Sequence, residues 1–353
     1  MPEAANHPPI DNKWRIGRRI GAGSFGEIFH ATGPDGEPVA VKFERKSVRC
    51  PQLRHECKVY RELADCVGVC NVHYFGSNGD HLTMVLDLLG PSLEELFTKC
   101  GRRFSLKTTL QLADQMLERI DMMHMHHLIH RDIKPANFTL GAPLAVNGGI
   151  NPDPRSHKVY VIDFGLSKRY RHPRHLAHLP YRDGRSLTGT PRYASISNHM
   201  GIETSRRDDL ESIGYILIYF LVGKLPWQGL RAGNTAQKHQ LILDKKMSTS
   251  IEDLCVGCPR QFADYMRYCR ALKFDAKPNI AYLRGLFRDL YKDKYNGDYT
   301  FEWDWERVPD MERRASKEMQ GDGGGGEGQG LARPSTSAAV DGSRRNGGAA
   351  EGG

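Results

Sequence analysis

The sequence lacks any apolar run long enough to cross a membrane. Its longest run, IGYILIYFLVG, occupies only residues 213–223, whereas a bilayer-spanning helix needs about 20 apolar residues. The opening residues, MPEAANHPPIDNKW, also lack the apolar stretch of a secretory signal peptide. These absences argue against membrane insertion and secretion, and they predict a cytoplasmic or nuclear protein.

Cysteine pairs suited to metal binding are also scarce. Among the eight cysteines, only Cys255 and Cys258 form a CxxC pair, and no second pair or histidine pair accompanies them. A structural zinc site needs four such ligands at defined spacings, so we do not expect one. Reduced thiols are typical of the cytoplasm and nucleus.

Acidic residues are outnumbered by basic ones. The 353-residue chain has 42 Asp and Glu against 50 Lys and Arg, which gives a formal charge of +8. A positive surface favours partners that carry phosphate or carboxylate groups. Because no aromatic residues alternate with these charges as a single-strand-binding surface requires, we predict no nucleic-acid partner.

Composition divides the chain into three regions. We predict a polar leader over residues 1–13, a globular domain over 14–305 and a disordered tail over 306–353, where Gly and Ser replace large apolar residues. Strand-like segments with Gly and Pro turns fill the first part of the domain, and helical periodicity dominates the second, where Ser105 is predicted to cap the helix-like segment that follows it. The pattern predicts an α+β fold with a strand-rich lobe over 14–89 and a helix-rich lobe over 90–305.

Three glycines lie between the first two predicted strands. Gly21, Gly23 and Gly26 form a GxGxxG pattern within GAGSFGE, and such glycines allow backbone N–H groups to approach phosphates closely. Taken alone, a glycine hairpin explains the pattern better. A dinucleotide-binding fold needs a helix after the glycines, but EIFHAT has strand character, which counts against that fold.

A lysine and a glutamate follow on neighbouring elements. Lys42 ends the strand-like segment VAVK, and Glu56 lies inside the helix-like segment LRHECKVYRELAD. A lysine on a strand and a glutamate on the next helix can form an ion pair that aims the ammonium group at phosphate oxygens. Two unrelated surface charges are the alternative explanation.

Two further motifs concentrate charged and amide groups. HRDIKPAN contains Asp132, Lys134 and Asn137, and Pro135 favours an extended Lys134, so the motif is predicted to be a loop. Asp163 in VIDFG ends an apolar strand-like run, and carboxylate oxygens are ligands that Mg²⁺ prefers. A solvated turn and a capped strand end explain each motif separately.

Taken together and in this order, these motifs resemble the protein kinase signature set: a glycine-rich loop, VAVK, a helical glutamate, HRD-x4-N and DFG. Other segments make nearly all of 14–305 similar to the casein kinase I family, namely LLGPSLEELF, LTGTPRYASI, SRRDDLES, LPWQGL and YCRALKFDAKP. The most specific of these signals is ASIS (194–197), which stands where most protein kinases have Ala-Pro-Glu.

The resemblance implies a monomeric serine/threonine kinase that transfers the γ-phosphate of ATP to protein hydroxyls. In such an enzyme Asp132 would orient the substrate hydroxyl and accept its proton, and Lys134 would touch the γ-phosphate. Lys42, paired with Glu56, would contact the α- and β-phosphates.

The resemblance also implies ligands for Mg²⁺ and for the rest of the nucleotide. Asn137 and Asp163 would hold the cation. The other residues implied to bind ATP, several of which wall the adenine ring or belong to the linker between the lobes, are Ile20, Gly21, Gly23, Ser24, Gly26, Ile28, Ala40, Leu86, Asp87, Leu89, Thr139 and Ile162.

A preference for acidic or already phosphorylated protein substrates is a further implication of the resemblance. The matching anion pocket consists of Arg192, Gln228, Gly229 and Lys238. Clustered basic groups beside a catalytic loop suit phosphate recognition, although a solvated basic face is the alternative.

Some positions depart from the family pattern. Thr139 replaces the usual leucine under the adenine ring, and Pro191 replaces the usual alanine of TGTARYAS. The loop over 141–157 is longer than typical and has no assigned role. These departures leave a second hypothesis open, that of a catalytically weak or inactive kinase-fold scaffold.

Overall fold

The computed structural model describes residues 9–23, 26–142, 145–146, 149–150 and 157–307. Ser24, most of the predicted leader, most of the loop over 141–157 and the predicted tail from residue 308 onward lie outside these residues. Within the described ranges, no helix combines the length and the hydropathy that crossing a bilayer requires.

The strand-rich lobe consists of five strands and one helix. In chain order they are β1 (Arg15–Gly23), β2 (Gly26–Thr32), β3 (Pro38–Arg45), α1 (Leu53–Glu62), β4 (Val72–Asn78) and β5 (His81–Asp87). The strands form one antiparallel sheet in the order β1-β2-β3-β5-β4. Helix α1 packs against β4 and β5, at the edge of the sheet opposite β1.

Side-chain alternation along β3 determines which residues face the second lobe. Val39 and Val41 are buried in a small core that also contains Ile10, which belongs to the predicted leader. Because successive side chains of a strand point to opposite faces, Ala40 and Lys42 face the other way. The same strand therefore closes the small core and supplies two predicted site residues.

The second lobe is mostly helical. Its elements are β6 (Leu89–Ser92), α2 (Leu93–Lys99), α3 (Leu106–Met125), β7 (Leu128–Ile129), β8 (Phe138–Gly141), β9 (Ala145–Val146), β10 (Gly149–Ile150), β11 (Val159–Val161), β12 (Lys168–Arg169), α4 (Ile196–His199), α5 (Arg206–Val222), α6 (Thr235–Ser248), α7 (Ile251–Leu254), α8 (Arg260–Ala271) and α9 (Ile280–Tyr295). Short 3₁₀ turns cover Pro135–Asn137 and Phe164–Leu166.

Local sequence explains where the main helices begin and end. The Ser105 hydroxyl accepts a hydrogen bond from the Thr108 N–H over 3.2 Å at the start of α3, as the predicted cap requires. Helix α5 is buried on all sides and ends at Gly223, whose φ of +88° favours glycine. A strand-rich lobe followed by a helix-rich lobe confirms the predicted α+β fold.

Candidate active site

Lys42 on β3 and Glu56 on α1 form an ion pair in which the glutamate is buried and the lysine is partly buried. The Lys42 Nζ atom lies 2.7 and 2.9 Å from the two carboxylate oxygens of Glu56 and 3.3 Å from Oδ1 of Asp163. Burial by itself would lower the pKa of Lys42, but the two carboxylates outweigh it and hold this pKa above its usual range. Lys42 therefore stays charged in a fixed position.

Asp163 has an unusual backbone conformation that its neighbours hold in place. Its φ of 66° is left-handed, which is costly for a residue other than glycine. The Asp163 N–H donates to the Tyr60 hydroxyl over 3.3 Å, and the Phe164 ring packs edge-on against Tyr60 with 4.6 Å between centroids. Burial favours the neutral acid, yet Lys42, His130 and Lys134 together outweigh it and keep the pKa of Asp163 below its usual range.

Both carboxylate oxygens of Asp132 are engaged. Oδ2 accepts a hydrogen bond from Lys134 Nζ over 2.6 Å, and Oδ1 accepts from the backbone N–H and the hydroxyl of Thr190 at 2.8 Å each. These bonds hold the carboxylate in one orientation. Thr190 was not among the predicted site residues, because no local pattern indicates that residues 58 positions apart meet here.

The Asp209 carboxylate, at the start of α5, binds the backbone of the HRDIKPAN segment over 130–137, called the catalytic loop below. It accepts from the N–H groups of His130 and Arg131 over 2.9 Å each, and the His124 ring lies 3.0 Å away. Burial would raise the pKa of Asp209, but these hydrogen bonds outweigh it and keep the pKa below its usual range. Asp209 therefore fixes the segment that leads into Asp132, and it too was missing from the predicted site.

Asn137 and Asp163 provide oxygen donors suited to a divalent cation. The Asn137 amide nitrogen donates to the Asp132 carbonyl over 2.9 Å, which leaves the amide oxygen for a cation. The Asp163 side chain is 34% exposed. Among the described residues, no three His, Cys, Asp or Glu side chains could hold a metal by themselves. An amide oxygen and a carboxylate next to nucleotide phosphates nevertheless fit Mg²⁺, which is commonly bound in this way.

The predicted glycine loop joins the first two strands. Gly21 and Gly23 lie at the end of β1, and Gly23 is opposite Gly26 at the start of β2. A Cβ atom at Gly26 would lie 1.8 Å from the carbonyl oxygen of Phe43, so glycine is required where β2 approaches β3. Ser24 lies outside the described residues.

The residues predicted to wall the adenine ring come from strands of both lobes. They are Ile20 on β1, Ile28 on β2, Ala40 on β3, Leu86 and Asp87 on β5, Leu89 on β6, Thr139 on β8 and Ile162 just after β11. Ala40 lies opposite Leu86 in the sheet register. The Asp87 carboxylate binds Asn71 and His73, and its backbone N–H donates to the Asn71 carbonyl over 3.2 Å, so neither group is free to bind the nucleotide.

Thr139 has a buried hydroxyl that is unpaired within the described part of the chain. The residue is 5% exposed, and its Oγ1 makes no hydrogen bond to the described residues. Leaving such a group unpaired costs about 1–3 kcal/mol. Thr139, in place of the family's usual leucine, therefore lowers the free energy of unfolding at a position predicted to contact the nucleotide.

The four residues predicted to bind a substrate anion line one cavity. Arg192, Gln228, Gly229 and Lys238 surround about 610 Å³, and Lys134 reaches the same cavity from the catalytic loop. The cavity therefore extends from the predicted anion pocket to the hydrogen-bond partner of the candidate base.

Three other basic residues form ion pairs outside the cavity. They belong to the activation segment, the stretch of chain over 163–197 that runs from DFG to ASIS. Lys168 and Arg185 both pair with Glu203, over 2.9 and 3.2 Å, and Arg169 pairs with Glu62 over 2.6 Å. Each of these three cations is paired with a carboxylate, and none of them lines the anion cavity, so they add little to its charge.

A two-lobed fold with a paired lysine and with carboxylates between the lobes defines a class of phosphotransferases. The family model described as protein kinase domain matches residues 14–272. The chain therefore belongs to the protein kinase family, whose members use ATP and Mg²⁺ to phosphorylate proteins.

Proposed function

We propose that this chain is a serine/threonine protein kinase of the casein kinase I type, which transfers the γ-phosphate of ATP to acidic or phosphate-primed proteins. The observation that carries the proposal is the position of Asp132. Its carboxylate binds Lys134 and Thr190, and both of these residues also line the cavity that contains Arg192 and Lys238. A candidate base and an anion-binding surface thus adjoin each other.

In this proposal the Lys42 ammonium contacts the α- and β-phosphates. Its ion pair with Glu56 at 2.7 Å keeps it from turning away from the nucleotide. Mg²⁺ would be held by Asn137 and Asp163, where it supplies positive charge that neutralises the phosphate oxygens. The paired lysine and the two oxygen donors orient the triphosphate before transfer.

Transfer itself requires little covalent chemistry from the protein. Asp132 orients the substrate hydroxyl and takes its proton while the new O–P bond forms and the bond to the β-phosphate oxygen breaks. Lys134 Nζ, 2.6 Å from Asp132, stabilises the negative charge of the transferred group. Positioned charges of this kind supply most of the rate enhancement in phosphoryl transfer.

The charge of the cavity supports selection of acidic or phosphorylated substrates. Its charged lining residues comprise three cations, Lys134, Arg192 and Lys238, and one carboxylate, Glu94. Charge-assisted hydrogen bonds to a phosphate are among the strongest that a protein forms. The excess of cations therefore favours a phosphate group or a carboxylate on the substrate.

Phosphate transfer to casein would test the proposed activity. Incubation with radiolabelled ATP should label casein more strongly than its dephosphorylated form, and Asp132→Asn should abolish both signals. If neither protein is labelled, the scaffold hypothesis replaces this proposal. Retention on RNA that decreases with salt, without any transfer, would instead indicate nucleic-acid binding.

A matched pair of variants would test the anion pocket. Lys238→Ala should raise the KM of a phosphopeptide about tenfold, as expected for the loss of one charge-assisted hydrogen bond, and should change the KM of the unphosphorylated peptide much less. Lys224→Ala removes an exposed lysine that does not line the cavity and should leave both unchanged. An equal effect of Lys238→Ala on the two peptides would contradict phosphate recognition.

We also propose that the kinase domain extends to residue 305. Trp303 and Trp305 are buried in the main core, and the Trp305 ring packs against Phe104 with 5.5 Å between centroids. The monomeric state and the cytoplasmic or nuclear location stay predictions.

A further inference from the structure

Lys246 on α6 is a lysine with no exposed side-chain surface. Its relative exposure is 0%, and among the described residues no carboxylate forms an ion pair with its Nζ. Burying an unpaired ammonium group is costly. The groups around Nζ must therefore compensate for the lost water.

Backbone carbonyls and aromatic rings surround the Lys246 ammonium. Nζ donates to the carbonyl of Pro191 over 2.9 Å and also to the carbonyl of Ala194. The ring centroids of Tyr215 and Trp227 lie 5.0 and 5.1 Å from Nζ, within the range of cation–π attraction. One side chain thus binds both ends of the turn over 191–194.

That turn carries Arg192, which lines the anion cavity. The Arg192 carbonyl accepts a hydrogen bond from Trp227 Nε1 over 2.7 Å. Three carbonyls of the turn therefore accept hydrogen bonds, two from Lys246 on α6 and one from Trp227 in the loop before α6. Pro191 contributes no N–H of its own. Lys246 itself does not line the cavity.

We propose that Lys246 is a positioning residue for phosphate recognition, whose ammonium group holds the turn over 191–194 and thereby places Arg192 in the anion cavity. The inference rests on the proposed phosphate-binding function of that cavity. It assigns a buried side chain, without substrate contact, to the discrimination between primed and unprimed substrates.

The protonation of Lys246 gives this arrangement a pH dependence. Burial lowers the pKa of Lys246 to about 7. Above that pH Nζ becomes a neutral amine, which donates weaker hydrogen bonds and loses its attraction to the ring faces. The preference for a primed substrate should therefore decrease as the pH rises through about 7.

Of the other titratable groups around Lys246, His199 cannot produce the same trend. Burial and the neighbouring ammonium lower the pKa of His199, 3.3 Å from Nζ, to about 4, so this ring stays neutral between pH 7 and 9. The other charged or titratable groups that face this region are Glu211, Arg270 and His239. His239 also lines the anion cavity, so the pH dependence has to be measured without its side chain as well. The substrate phosphate, with a second pKa near 6, is essentially fully charged above pH 7.

The first experiment compares Lys246→Met with Lys245→Met, which changes the adjacent exposed lysine. Kinetics with a phosphopeptide and its unphosphorylated twin should show an increase in the primed KM of about five- to tenfold for Lys246→Met only. The kcat for the unphosphorylated peptide should stay within about twofold. Equal losses with both peptides would indicate a merely structural role and overturn the inference.

A second experiment needs no change at Lys246. The ratio of kcat/KM for the two peptides is measured from pH 7 to 9 with the wild-type chain, with Lys238→Ala and with His239→Gln, which removes the histidine that lines the cavity. The ratio should fall in all three, because Lys246 acts through Arg192. A ratio that stays constant would overturn the inference even if Lys246→Met does not fold.

Phosphate binding by the cavity and the role of Lys246 can be overturned separately. If the wild-type chain does not prefer the phosphopeptide at any pH, both the phosphate-binding cavity and the role of Lys246 are wrong. If Lys238→Ala reduces the preference but neither Lys246→Met nor pH does, the cavity stands and only the assignment of Lys246 is wrong.

Discussion

Thr190 donates two hydrogen bonds to a single oxygen of Asp132, one from its backbone and one from its hydroxyl, both over 2.8 Å. The preceding residue, Gly189, makes this approach possible, since a Cβ atom there would lie 2.4 Å from the Arg131 carbonyl oxygen. The conformation of the activation segment thus determines the orientation of the proposed base.

Thr190→Val should lower kcat about tenfold with little change in the KM of ATP. The substitution keeps the shape and the backbone bond but removes the hydroxyl, whose hydrogen bond to a charged group is worth about 1.5 kcal/mol. Steady-state kinetics check the effect, and Thr190→Ser should restore most of the activity because it retains the hydroxyl. Wild-type activity in Thr190→Val would show that the hydroxyl does not position Asp132.

Asp163→Asn should abolish phosphate transfer while changing the melting temperature little. The amide loses the charge proposed to hold Mg²⁺, but the side chain is 34% exposed and keeps its shape. Asp289→Asn, at an exposed position of α9, serves as the control and should be fully active. A large drop in melting temperature together with retained transfer would refute the assigned role.

Gly26→Ala should destabilise the protein and raise the KM of ATP. The added methyl group cannot fit 1.8 Å from the Phe43 carbonyl oxygen, and relieving such an overlap costs about 1–3 kcal/mol. Gly285→Ala is the matched control, because nothing lies within 4 Å of its added Cβ on α9, and it should stabilise the helix by about 0.5–1 kcal/mol. Thermal melting distinguishes the two, and equal melting temperatures would contradict the required close approach of β2 and β3.

Thr139→Val should raise the melting temperature by about 2 °C, because it removes a buried hydroxyl that has no partner among the described residues. The KM of ATP should fall as well, since an apolar surface would then face the adenine ring. Thr83→Val is the control: its hydroxyl is also buried and unpaired among the described residues, but Thr83 is not a predicted nucleotide contact. If both variants change the KM of ATP equally, Thr139 does not lie under the ring.

Much of the fold follows from short-range patterns. Strand-like segments with β-branched residues and glycine turns became the sheet, Ser105 caps α3 as predicted, and the apolar segment around Ile213 became the buried helix α5. These features depend on neighbours a few positions away, which is the range over which hydrophobic periodicity and capping act.

The parts of the site that were missed depend on contacts across long stretches of chain. Asp209 binds the loop before Asp132 across 78 and 79 positions, and Lys246 reaches Ala194 across 52. Asp209 lies in the segment SRRDDLES, which resembles the family but does not show which backbone groups its carboxylate binds. Nothing in a window around Lys246 distinguishes it from a surface charge. Their burial and their partners exist only once helices α5 and α6 pack against the catalytic loop and the activation segment.

The sequence by itself determined the order of strands and helices and the identity of the charged groups in the kinase motifs, because motif spacing and periodicity are local properties of the chain. Only the tertiary structure decided which carboxylate oxygen of Asp132 meets Thr190 and which lysine is buried without a counter-ion. Those outcomes depend on desolvation and packing. Both act between segments that lie far apart in the sequence and meet only when the chain folds.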